Sequence, residues 1–248
     1  MAADEMIRVV HVINQAIEGG GLEHVLALMR EMRGLGFRFF AATSGPQYML
    51  DRIEQAGAEV VPLKLMSSRV SPVPSVRLAK LVKRLGADIL HLHGTRAAFF
   101  GIPARRMLDV KSIYTVHILS YRKIGANDRL TSALYIWAER FCCRVHDRVI
   151  AISRSYADEL SKRRICPEHK LITIPNGVSH ERLQRADRLE ARRALGLEPN
   201  RLWAGAAARL VPQKGLEYLI DAARLLKARG LNIGVAIAGS GELKGKLE

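Results

Sequence analysis

Ile7-Arg8-Val9-Val10-His11-Val12-Ile13 runs into Gly19-Gly20-Gly21-Leu22-Glu23, and a helical pattern over 21–35 follows. The first run is apolar on consecutive positions, as in a strand of a parallel sheet that is covered on both faces. A glycine-rich turn then leads into a helix. The same unit recurs downstream, with strands expected at 37–43, 59–63, 89–92, 112–116 and 148–152. Between them the spacing predicts helices over 48–56, 75–85, 96–108, 129–145 and 153–163. Alternating strand and helix requires right-handed crossovers and gives an α/β, doubly wound parallel sheet.

This complete Rossmann-like sheet is expected to occupy 1–170. A short strand follows from Leu171, ended by Pro175 and the turn signal Asn176-Gly177. An Arg-rich helix at 181–195 precedes a new cycle: strand 202–208, helix 216–229, strand 233–238. Two or three strands are too few for a covered parallel sheet. The region 171–248 is therefore expected to be the first part of a second Rossmann-like domain, truncated at its C-terminal side.

Composition narrows the class. The 248 residues are 48% hydrophobic and 25% charged, as in an ordinary globular protein. No apolar run approaches the roughly 18 residues of a membrane span, and no signal-peptide pattern opens the chain, so a cytoplasmic location is expected. Cys142, Cys143 and Cys166 have no metal spacing, and adjacent Cys142 and Cys143, on an expected helix, read as plain core and surface thiols. The 39 Lys and Arg against 24 Asp and Glu leave +15, which points to an anionic partner. Nucleic acid is not expected, because aromatics are only 6% and no basic stripe carries them.

Four groups of residues carry candidate chemistry. Gly19–Gly21 stand between strand and helix, where backbone N–H groups can approach an anion, or where a plain tight turn suffices. Neither a dinucleotide fingerprint nor a P-loop is present, which argues against a nicotinamide dehydrogenase. Arg209 and Lys214 lie in Ala208-Arg209-Leu210-Val211-Pro212-Gln213-Lys214-Gly215, where two cations on one loop can clamp a diphosphate. Gly239, Gly241 and Glu242 follow the next strand at the same sheet edge, where ligands of such sheets bind. His91 and His93 share one face of their strand, and His117 closes Ile113-Tyr114-Thr115-Val116-His117. No third metal ligand is evident for the His-x-His pair, so no metal is expected and a structural or cleft-lining role fits better.

The ordered set resembles the family-4 glycosyltransferases: Gly20-Gly21-Leu22-Glu23, then DILHLHG, YTVH, VIAISRSYADEL, IPNGV, ARLVPQKG and IAGSGE. The resemblance spans Val9 to Glu242. It implies a GT-B fold and retaining transfer of a sugar from a nucleoside diphosphate sugar to a glycan or lipid-linked acceptor, in the synthesis of cell-surface polysaccharide, lipopolysaccharide or glycolipid. By the same resemblance, Arg209 and Lys214 match the pair that neutralises the donor diphosphate, and no metal cofactor is needed. Gly20 and Gly21 match the loop beside the phosphate, and His117 the histidine near the donor sugar. Gly239, Gly241 and Glu242 match the loop near the base, Glu23 and His93 fall on the acceptor side of the cleft, and Asn176-Gly177 matches the interdomain region. Ala207 replaces a usual glycine, and a later Glu-x7-Glu motif is absent. A truncated, non-catalytic remnant or binding module of that family is the alternative.

The stretch 75–85 is a basic amphipathic helix. Val76, Leu78, Leu81, Val82 and Leu85 form its apolar face, and Arg77, Lys80, Lys83 and Arg84 surround it. It is either a surface helix packed on the sheet or a peripheral attachment to an anionic membrane.

Overall fold

The computed structural model describes residues 6–65, 72–119, 129–178 and 187–247. The chain divides into two compact units, Met1–His180 and Glu181–Glu248.

The first unit alternates strand and helix from its start: β1 (Ile7–Ile13), α1 (Gly20–Glu31), β2 (Phe37–Thr43), α2 (Gln47–Gln55), β3 (Ala58–Pro62), α3 (Val73–Leu85), β4 (Ile89–His93) and α4 (Thr95–Met107). It continues through β5 (Lys111–Val116), α5 (Arg129–Val145), β6 (Arg148–Ala151), α6 (Arg154–Lys162) and β7 (Leu171–Thr173). All pairings are parallel, in the order β3-β2-β1-β4-β5-β6-β7. The order reverses direction at β1, as in a doubly wound sheet.

Side chains alternate along each strand, and two cores result. Val10, Val12, Leu90 and Leu92 join Leu78, Val82, Ala97 and Phe100 beneath α3 and α4. Val9, Ile13, Phe39 and Ala41 join Leu22, Leu26, Met29 and Met49 beneath α1 and α2. Local signals fix the helix ends. Ser153 caps α6 by accepting from the Tyr156 N–H, and Gly86 ends α3 in the left-handed region at φ 58°.

The expected division at 170/171 moves to 180/181, because β7 belongs to the first sheet. Val149, Ile150 and Ala151 of β6 stand opposite Leu171, Ile172 and Thr173. The apolar face of α3 is spent inside: Leu78, Leu81 and Val82 are buried against the core, while Val76 is 50% exposed. Of the two readings of this helix, packing on the sheet accounts for its apolar residues. Its four cations point to solvent. All three cysteines are buried, so neither Cys142 nor Cys143 is a surface thiol.

The second unit contains α7 (Arg188–Ala194), β8 (Leu202–Ala207), α8 (Leu216–Ala228), β9 (Ile233–Ala238) and α9 (Lys244–Leu247). Asp187 caps α7 through the Leu189 and Glu190 N–H groups. The 181–186 part of the expected Arg-rich helix lies outside the described residues. Among them, β8 and β9 form a two-stranded parallel sheet, from Leu202↔Ile233 to Ala207↔Ala238.

Candidate functional site

The first unit gathers histidines beneath α1, and strand register explains how. Val10 and Val12 face α3 and α4, so His11 faces the opposite layer. His91 stands opposite His11, and Thr115 opposite His93. His117 follows Thr115 by two residues, just beyond Val116 at the end of β5, and so keeps the same face. His24 approaches from α1, its ring 5.3 Å from His117 and 6.2 Å from His93.

These rings are bonded into a chain. His11 Nδ1 lies 3.0 Å from His93 Nε2, and His93 Nδ1 lies 3.1 Å from His117 Nε2. His91 Nε2 pairs with the Thr115 hydroxyl at 2.8 Å. His11, His91 and His93 are buried, while His117 and His24 are half-buried. Burial, reinforced by the neighbouring His24, pushes His11 down to about 3 and His117 down to about 4. Burial followed by the neighbouring imidazoles holds His91 and His93 well below the usual histidine value. The cluster is therefore neutral at physiological pH.

His11, His91 and His93 offer nitrogens within 4.8 Å of one another, a spacing that suits a metal ion. The sequence supplied only the pair; β1 brings the third ring. However, both His93 nitrogens are engaged by other imidazoles, and His91 Nε2 by Thr115. An ion would have to displace the His11–His93 bond. In this structure His11 and His93 bond each other, and His91 bonds Thr115.

The glycine loop meets this cluster. The first bond inside α1 runs from the Glu23 N–H to the Gly19 carbonyl at 3.1 Å, which leaves the Gly20, Gly21 and Leu22 N–H groups without an acceptor in the helix. Gly19 has no side chain to cap them. A Cβ built on Gly21 would stand 3.7 Å from His117 Cγ, so the helix start lies against that ring. Glu23 pairs with Arg52 of α2 at 2.5 Å, both partly exposed. The loop itself is pinned from below: the Ala16 N–H bonds the Ser44 carbonyl at 2.8 Å, and Gly45 has no room for a Cβ against the Ala16 carbonyl oxygen.

The second unit forms its own cluster. Beyond β8 and β9 the backbones stay joined, with the Ala208 N–H on the Ala238 carbonyl at 3.0 Å and the Leu210 N–H on the Ser240 carbonyl at 2.8 Å. The Leu243 N–H returns to the Leu210 carbonyl at 3.0 Å. The Arg209–Lys214 loop and the Gly239–Glu242 loop are thus adjacent at the C-terminal edge of the strands. Arg209, Lys214 and Glu242 are exposed there. Lys214 ends a 3-10 turn, and Gly215 at φ 57° starts α8 immediately after it. This edge combines two cations with a helix N-terminus, a combination that suits a diphosphate.

Against this geometry, the profile of Glycosyltransferase Family 4 matches residues 18–182, more than half of the chain. The chain belongs to glycosyltransferase family 4. The relatives of this family-4 chain include the UDP-Gal:alpha-D-GlcNAc-diphosphoundecaprenol alpha-1,3-galactosyltransferase of Escherichia coli, 28% identical over 180 residues. That match covers 70% of this chain and 46% of the relative. The alpha-D-kanosaminyltransferase of Streptomyces kanamyceticus is 30% identical over 179 residues, covering 68% and 46%. The chain thus spans about half the length of these curated relatives. Among solved structures, Anabaena HepE in complex with UDP and glucose superposes with a TM-score of 0.75 at 16% identity, over 97% of this chain and 63% of HepE. The family-4 chain has the GT-B, Rossmann-like fold.

The resemblance assigns His117 to the donor sugar, Gly21 to the phosphate loop and His93 to the acceptor side of the cleft; in the structure the three are neighbours, with His93 Nδ1 3.1 Å from His117 Nε2 and Gly21 against the His117 ring. Sequence reading missed His11, His24, Thr115 and Gly45. The first three lie on elements read correctly, but their meeting depends on β1 pairing with β4 and β4 with β5, which no local pattern encodes. Gly45 carries a local signal, in Ser44-Gly45-Pro46 at a strand end.

Proposed function

We propose that this chain forms the acceptor-side domain and part of the donor-binding domain of a retaining glycosyltransferase. The sugar comes from a nucleoside diphosphate sugar and goes to a glycan or lipid-linked acceptor in cell-surface polysaccharide, lipopolysaccharide or glycolipid synthesis. The observation that carries this reading is the paired loop edge of the second unit, where Arg209 and Lys214 adjoin the Gly239–Glu242 turn. Two cations on one loop stabilise the charge that develops on a departing nucleoside diphosphate, so a metal cofactor is not required. Glu242 and the two glycines receive the nucleoside side of the donor. His117, with the free N–H groups of Gly20 and Gly21, meets the sugar and phosphate oxygens. The name of the Escherichia coli relative includes a UDP-sugar donor and a diphosphoundecaprenol-linked acceptor, which favours a lipid-linked substrate here. Work on such an acceptor suits the cytoplasmic face of a membrane, reached by the exposed cations of α3.

Transfer of labelled sugar from UDP-sugars to a lipid-linked acceptor tests the reading. Arg209→Ala and Lys214→Ala should each remove most turnover, by about 100-fold or more if each supplies one charge-assisted contact to the leaving group. Turnover near wild type in both variants would overturn it. The anomeric proton of the product decides retention: an α-linked product from an α-linked donor supports it, and a β-linked product rules it out.

A further inference from the structure

The rings of His11, His93 and His117 are joined by two hydrogen bonds, and each bond needs one N–H and one bare nitrogen. His93 uses both its nitrogens. In a neutral ring one donates and one accepts, so both bonds must run in the same direction. Only two arrangements exist. In the inward one all three rings are Nε2–H tautomers, and in the outward one all three are Nδ1–H.

The inner end of the chain decides between them. His11 Nε2 is buried and has no hydrogen-bond partner. The inward arrangement would strand an N–H there without an acceptor, beside the rings of His91 and Phe39, whose centroids lie 5.0 and 5.5 Å from that of His11. The outward arrangement leaves only a bare lone pair. Orphaned buried N–H groups are the rarer of the two in folded proteins.

We propose that His11 and His93 are positioning residues that hold His117 in its Nδ1–H tautomer, so that it meets substrate as a fixed hydrogen-bond donor. Nδ1 is the ring nitrogen of His117 that the chain leaves over. It lies 3.9 Å from where a Cβ on Gly21 would stand, beside the unbonded N–H groups of the first turn of α1. Donors of this kind match an oxygen lone pair, of a phosphate or a sugar hydroxyl. The inference rests on the reading that His117 faces the donor sugar, and it narrows that role. At Nδ1 the ring gives a hydrogen bond and does not take a proton. His117 therefore orients the sugar and is not the base that activates the acceptor. Burial supports this by keeping all three rings uncharged.

The tautomers are read directly from long-range 1H–15N spectra of the 248-residue chain labelled at histidine, at pH 7.5 and without donor. His11, His93 and His117 are expected as neutral Nδ1–H rings, the minority form of histidine in water; Nε2–H at His93 or His117 overturns the proposal. His11→Phe removes the first donor, and His117 should then acquire a visible Nε2–H fraction. A His117 that stays wholly Nδ1–H in that variant overturns the positioning role. His11→Asn puts an amide N–H where Nδ1 stood and should restore the wild-type pattern, which mere loss of packing would not do. Should His11→Phe fail to fold, the wild-type spectrum and His11→Asn still decide. No donor enters these spectra, so their outcome is independent of the turnover of Arg209→Ala and Lys214→Ala, which tests the transferase reading.

Discussion

Gly241 stands against the Leu210 carbonyl oxygen with no room between them for a β-carbon, and Gly239 stands in the same relation to Ala208. Small residues here are a packing requirement of the joined loops. Gly241→Ala must push the two loops apart, at a cost of about 1–3 kcal/mol for an overpacked site. The Leu210 and Leu243 amides, bonded to Ser240 and Leu210, should then exchange hydrogen at least about 10-fold faster. Unchanged protection at both amides would show that the loops accommodate the β-carbon without parting.

The buried imidazoles make stability depend on pH. A histidine takes a proton near 6.5 in the unfolded chain, but His11 does so only at about 3 and His117 and His146 at about 4 when folded. Between 6.5 and 4 the unfolded state binds more protons, so stability falls as pH falls through this window. Each such group contributes up to about 1.4 kcal/mol per pH unit. Glu139 opposes the trend, since burial raises its carboxyl and it loses stability as pH rises above 4.5. The urea midpoint should drop between pH 7 and pH 5, and His11→Phe, if folded, should flatten that drop. A midpoint that is constant over this range would contradict neutral burial.

Asp147 governs a separate, more acidic window. Burial alone would raise its carboxyl, but Arg105 and the Ser112 N–H and hydroxyl outweigh that and hold it at about 2. Its folded value lies below 3.8, so its contribution is complete above 3.8 and disappears as pH falls toward 2. Arg105→Gln should raise the carboxyl, and its titration is visible by NMR of the Asp147 side chain. An unmoved titration would remove Arg105 as a cause.

Tyr114 donates its hydroxyl proton to the Glu139 carboxyl at 2.5 Å in the core beneath α4 and α5. Tyr114→Phe leaves that buried acid short of a partner and should cost about 1–3 kcal/mol by urea unfolding. A loss below about 0.5 kcal/mol would mean that other groups satisfy Glu139 alone.

The cations of α3 offer charge without an apolar face to insert. Binding to anionic vesicles should therefore be electrostatic, disappear in high salt, and weaken when Lys80 and Lys83 become Glu. Equal sedimentation with neutral and anionic vesicles would exclude this surface.

Most of the fold was legible because each element carries a local signal. The apolar runs of β1, β2 and β9 and the 3.6-residue pattern of α5 fixed those elements to the residue; most other ends shifted by one or two positions, while α1 ends at Glu31, four residues before the expected 35. The short β7 was seen as a strand but assigned to the wrong neighbour, because three residues say nothing about which edge they join. Among the residues proposed for function, His93 and His117 stood out at strand ends of the first unit, and Arg209 and Lys214 in the loop between β8 and α8 of the second. The chain of imidazoles did not, since His11 and His93 are 82 residues apart. Their contact is created by strand order, which emerges only when the whole sheet assembles.

The placement of β7 also sets where the first unit can be cut. Val149, Ile150 and Ala151 present a ladder of backbone groups that β7 covers, and the Ile174 N–H extends the cover to the Ala151 carbonyl at 3.0 Å. A shortened chain ending at 170 would expose β6 as a bare, apolar edge, open to pairing with other copies and to aggregation. A chain carried through 178 keeps its own three-residue guard strand, too short to recruit a neighbour.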